Sequence, residues 1–118
     1  MKVPVPLIKI GQVVLAPIEI ELTDEMAEEL HLAILKKIEL THARGLVIDV
    51  SLVEVIDSYF ARILINIGRA AHCLNCMTVV VGITPEVAFT LTQMGLTWRG
   101  VRTALTVEEA ISMVQAHG

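Results

Sequence analysis

The chain has 118 residues, a net charge of −4 and a hydrophobic content of 54%, yet only 3% of its residues are aromatic. That length suits a single domain spanning 1–118, large enough to bury one core without disulfide or metal staples. Aliphatic side chains at this density exclude intrinsic disorder, no apolar run reaches the ~18 residues of a membrane span, and an acidic chain gives nucleic acid no electrostatic footing.

The opening Met1-Lys2-Val3-Pro4 has no long apolar region of the kind that drives secretion. Two cysteines make no disulfide framework. A reducing cytoplasm is therefore the expected setting.

Leu7 to Ile10 and Val13 to Ala16 read as two short strands separated by Gly11-Gln12. Glycine at the first central position suits a type II′ hairpin turn, and Pro17 should end the second strand's pairing. Thr23 offers an N-cap to a helix whose first turn carries Asp24 and Glu25. Ala27, Leu30, Ile34 and Ile38 recur every three or four residues along it. The helix should end near His42, with Gly45 just past its end as the C-terminal signal.

Leu46 to Val50 has the continuous apolar character of a buried strand. A second helix is predicted from about Ser58 to Leu74, with Phe60, Ile63, Leu64, Ile67 and Ala71 on its apolar face. Arg62, Asn66 and Arg69 form an opposing stripe, read as a solvated face. Met77 to Ile83 is the next strand. Thr84-Pro85-Glu86 then starts a helix, with threonine as cap, proline at the first position and an acid in the first turn. That helix uses Val87, Leu91 and Met94 and stops at Gly95. Val101 to Ala104 is a last short strand, and Thr106 with Glu109 fits a capping box that opens a final helix through Ala110, Ile111 and Val114.

This order predicts an α/β fold: a mixed sheet of about five strands, with an N-terminal hairpin, parallel βαβ units and about four helices. Right-handed crossovers place consecutive helices on one face when strand order runs steadily in one direction. Sites in such sheets lie past the carboxyl ends of the strands, here Ser51 to Asp57 and Thr84-Pro85.

The informative stretch is LVIDVSLVEVIDSYFARIL, from Leu46 to Leu64. Asp57 falls where an N-cap is wanted, which makes Ser58 the first helical residue. A phosphate on Ser58 would sit beside unpaired backbone N–H groups at the positive end of the helix dipole. Read from spacing alone, the same Asp-Ser is an ordinary cap.

Apolar strand, Asp, apolar, Ser, a short apolar-rich loop and then Asp-Ser at a helix start resembles the STAS domain, the fold of bacterial anti-anti-sigma factors. The resemblance continues through Gly82-Ile83-Thr84-Pro85-Glu86-Val87, Gly95-Leu96, Gly100-Val101-Arg102-Thr103 and Thr106-Val107-Glu108-Glu109-Ala110. It covers nearly the whole chain and is strongest to the single-domain stressosome branch of RsbS type. Many family members follow the serine with small residues, whereas Tyr59-Phe60 stands here. That departure fits the stressosome branch better than direct binding of an anti-sigma factor.

The resemblance implies a non-enzymatic phospho-switch and scaffold with no cofactor. Ser58 would be the phospho-acceptor of an RsbT-like serine kinase, held by the unphosphorylated protein and released after phosphorylation. Asp57, Tyr59, Thr84 and Pro85 would contribute to partner binding, with Leu52, Val53 and Val55 as loop apolars of the docking surface. An RsbR-like STAS co-antagonist, a phosphatase and homo- or hetero-oligomers are the other implied partners. The apolar excess of the chain, beyond what buried strands explain, is read as partner surface concentrated near Ser58.

A different class of function would use Cys73 and Cys76 in a small redox or metal-binding domain. A redox CxxC wants its first cysteine at a helix N-terminus, and here it falls at a C-terminus. Zinc would need further ligands, and His31, His42 and His117 have no matching spacing. Buried packing cysteines are the simpler expectation. Asp49 invites comparison with an aspartyl-phosphate receiver, but the chain lacks that site's acidic pair and its late lysine, since no lysine follows Lys37. A role bracing the Ser51 to Ile56 loop is expected instead. Thr84 could accept phosphate by analogy of position, although capping explains it fully.

Overall fold

Because β3 and β4 are apolar at successive positions, both faces of the sheet must be covered, and the fold meets that demand with helices on each side. The structure, a computed structural model, describes residues 5–93, 95 and 100–117. Among these the order is β1 (Ile8–Ile10), β2 (Val13–Pro17), α1 (Asp24–Thr41), β3 (Gly45–Asp49), α2 (Ser58–Cys73), β4 (Met77–Val81), α3 (Pro85–Gln93), β5 (Val101–Ala104) and α4 (Val107–His117). The sheet runs β1-β2-β3-β4-β5. β1 is antiparallel to β2, and every later pairing is parallel. The architecture expected from the sequence is the one observed.

The hairpin closes with Ile10 opposite Val13, leaving Gly11-Gln12 as a two-residue turn. Gly11 has φ +57 and Gln12 does not take positive φ, the pattern of a II′ turn. β2 runs on to Pro17, its last residue, still in register with Asp49 of β3.

Period-two alternation divides the core. Val14, Ala16, Leu46, Ile48 and Val80 face α1 and α2, packing with Leu30, Ile34, Ile38, Leu64 and Ile67. Val87 and Ala88 of α3 lie against the same cluster. Val13, Val47, Val79, Val81 and Ala104 face the other way, onto Ala110 and Val114 of α4. The crossover helices thus share one face, as steady strand order requires. α4 follows the last strand, is bound by no crossover, and closes the opposite face.

α1 begins as expected: Thr23 Oγ1 accepts from Met26 N at 3.2 Å. It also ends at His42 as expected, and only the role given to Gly45 differs. His42, not a glycine, takes the left-handed conformation at the C-cap, with φ 54 and ψ 36. Gly45 opens β3 instead. It is buried there, and a Cβ on it would lie 2.5 Å from Val114 Cγ2 and 2.6 Å from Cγ1. The glycine is a packing requirement that lets α4 sit close to the sheet. Met94, expected in α3, lies outside the described residues.

Gly45→Ala should therefore destabilise the fold by about 1–3 kcal/mol through overpacking in urea unfolding. Adding Val114→Ala should make the double variant less unstable than the sum of the single changes.

Candidate functional site

Parallel pairing brings the carboxyl ends of β3 and β4 side by side, so the loops that follow must share one edge. Asp49 ends β3, and its Oδ1 accepts from Ser51 N at 2.9 Å and from Ser51 Oγ at 2.5 Å. This supplies the partner that sequence reading could not name for Asp49. Val50 N still donates to Val81 O at 2.8 Å, and Val53 N then donates to Val50 O at 3.1 Å, which turns the chain. Gly82 follows β4 with φ +101, and a Cβ on it would lie 2.7 Å from Ser51 Cα and N. Only glycine allows this backbone approach, in both conformation and space.

The loop ends at the α2 cap. Asp57 has extended backbone and its carboxylate accepts from Phe60 N at 2.9 Å. Ser58 is the first residue of α2 and is half-buried. In an α-helix the first backbone N–H groups lack intrahelical acceptors, so those near Ser58 point toward any group added to its hydroxyl. The next residue, Tyr59, donates its hydroxyl to the Asp24 carboxylate at the start of α1. That cross-link between two helix starts was missed in the sequence, where the two residues are 35 apart.

Leu52, Val55 and Tyr59 are 67%, 55% and 47% exposed around this helix start. Val53 departs from expectation: at 9% exposure it belongs to the core and anchors the loop rather than presenting a docking surface. Asp57, Thr84 and Pro85 are exposed, and Thr84 Oγ1 accepts from Val87 N at 3.2 Å as the α3 cap. Exposed Leu105, just past β5, reaches the same sheet edge and was not singled out in the sequence. Parallel topology is what brings it there. The apolar surface is also less concentrated than expected, because Ile8, Ile10, Leu32 and Leu40 are exposed elsewhere.

A family model for the STAS domain matches residues 5–110. The chain belongs to the STAS domain family. Among solved structures, Moorella thermoacetica RsbS S58E is 37% identical, covers 97% of each chain and superposes with a TM-score of 0.82. A chain from a structure described as the molecular architecture of the stressosome, a signal integration and transduction hub, is 38% identical. The similarity covers 95% of this chain and 97% of that one, with a TM-score of 0.67. The RsbT co-antagonist protein RsbRC of Bacillus subtilis is 36% identical over 67 residues, 57% of this chain and 24% of that protein. The match thus spans about a quarter of that relative. The family is regulatory rather than catalytic. Among the described residues no helix is long and apolar enough to cross a membrane.

The cysteines of this STAS domain are separated by environment. Cys76 is buried, as expected of a packing residue, whereas Cys73 is exposed at the end of α2. Burial pushes the Cys76 thiol up to about 11, away from the reactive thiolate. Both are free, and among the described residues no group of three or more His, Cys, Asp or Glu is placed to hold a metal ion.

Native alkylation with iodoacetamide should accordingly add one label, at Cys73, with Cys76 labelled only after denaturation. Intact mass and peptide mapping read the count. Burial of the neutral thiol also has a pH consequence. The unfolded thiol ionises first as pH rises, so the stability contributed by Cys76 is complete below about 9.0 and is lost toward about 11.

Proposed function

We propose that this STAS domain is a non-enzymatic phospho-switch and scaffold of a bacterial stressosome, acting in the cytoplasm as a single domain. In its unphosphorylated form it holds an RsbT-like serine kinase. Phosphorylation of Ser58 by that kinase releases it, and a phosphatase resets the site. The co-antagonist is a longer STAS protein of RsbR type, with which this domain assembles into a larger oligomer. The released kinase acts on a downstream output such as a sigma-factor cascade.

The observation that carries the reading is the position of Ser58. It is the first residue of a capped helix, half-buried among exposed Leu52, Val55 and Tyr59, with Asp57 beside it. A phosphoryl group there adds about −1.5 to −2 charges in one step. A partner packed on those apolar side chains would have to desolvate that charge next to an existing carboxylate, which is costly without a cationic partner. One covalent change therefore converts a docking surface into a repulsive one.

The relatives support the same reading. The Moorella RsbS structure is of a variant designated S58E, and RsbRC is by name a co-antagonist of RsbT. Thr84 and Pro85 extend the docking surface along the sheet edge, with Thr84 in a capping role.

Incubation with ATP and an RsbT-like serine kinase should add one phosphate, mapped by mass spectrometry to Ser58 and abolished in Ser58→Ala. Phosphate mapped elsewhere, or retained by Ser58→Ala, would remove Ser58 from the switch.

A further inference from the structure

The opposite end of the sheet carries a second concentration of polar chemistry. Three of the chain's four histidines, His42, His72 and His117, line one open cavity of about 840 Å³. Arg44 and Arg102 line it too, while Glu39 is the single acidic side chain of its wall among the described residues. The wall carries two arginines against one acid in a chain of net charge −4. Its place follows from the topology. In a parallel sheet each helix runs back toward the amino ends of the strands, so α1, α2 and α4 deliver His42, His72 and His117 to one edge. Ala43 and Arg44, just before β3, and the starts of β4 and β5 complete the wall.

Two features separate this cavity from a set of helix ends. Among the described residues, the two non-glycine residues with positive φ are His42 at 54 and Asn75 at 58, and both line it. Left-handed backbone at a helix end ordinarily favours glycine, and here it instead places the side chains of His42 and Asn75 on the wall. The terminal carbonyls of α2 are also already satisfied. Ala71 O accepts from Leu74 N at 2.9 Å and Cys76 N at 3.0 Å, and His72 O accepts from Asn75 N at 3.0 Å. These two carbonyls therefore need no side chain to cap them. Buried Ile38, Val101 and Val114 give the cavity an apolar base.

We infer that this cavity binds a small organic oxyanion, a molecule that presents a carboxylate or phosphate to Arg102 and the histidines and rests its body on the apolar base. Its volume falls within the roughly 300–1,000 Å³ of small-molecule sites. Guanidinium groups match the geometry of both anions. The site lies at the end of the sheet remote from Ser58 and stands whether or not Ser58 is phosphorylated.

The test is an NMR titration of the full chain, at constant ionic strength, with inorganic phosphate in one arm and citrate in the other. Saturable shifts at the amides of His42, Asn75 and Arg102 are expected, with Ser58 unmoved. A response to phosphate alone assigns a phosphate group to the ligand, and a response to citrate alone assigns a carboxylate. Arg102→Gln and His42→Gly should each weaken binding about tenfold, the loss of one charge-assisted hydrogen bond. His42→Gly suits the local backbone, so its thermal midpoint should be equal to or above that of the parent, which separates binding from folding. Absence of saturable shifts with both probes, or unchanged affinity in both variants, would overturn the inference.

Discussion

The backbone contact between Gly82 and Ser51 is the constraint on which the switch end of the molecule depends. Two parallel strands that end side by side must send their chains away from the sheet without colliding. With a Cβ at position 82, the β3–α2 loop would have to move outward by enough to clear Ser51 Cα and N. The glycine removes that conflict, and Asp49 then holds Ser51 through two hydrogen bonds. Val53 pins the middle of the loop into the core, and Asp57 caps its end. Each step narrows where α2 can start. The position of Ser58 is therefore determined by the sheet edge, and a group added to its hydroxyl would appear at a defined point on the surface.

The same geometry gives the two ends of the sheet different characters. At the carboxyl edge, capped helix starts meet exposed aliphatic and aromatic side chains, a surface suited to a large partner. At the amino edge, helix ends bring histidines beside Arg44 and Arg102 near the strand starts around an open cavity. α4 adds to this division, because it covers the face that the crossover helices leave open and carries His117 to the amino edge. Tyr59 couples α2 to α1 through Asp24, so the start of α2 is tied to the neighbouring helix as well as to the loop.

Much of this was legible in the sequence because it is local. Thr23, Asp57, Thr84 and Thr106 all cap the helices they precede, since a cap is decided within three or four residues. The strands were visible as aliphatic runs, and steady strand order follows from helices between parallel neighbours. What could not be read depends on contacts across the chain. Gly45 looks like a helix stop until Val114 is seen against it, and Val53 looks like loop surface until the core is assembled. Exposed Cys73 and buried Cys76 differ only through tertiary packing. The amino-edge cavity draws on residues from His42 to His117, beyond the reach of any local pattern.

The central claim is that charge at position 58 decides whether the kinase stays bound. It is tested most directly by retention of the kinase on immobilised Ser58→Ala and Ser58→Asp variants, read at matched loading and ionic strength. The physical account predicts that Ser58→Ala, which keeps the apolar surface and cannot be phosphorylated, retains the kinase even with ATP present. Ser58→Asp should retain markedly less. Equal retention by the two variants would contradict it.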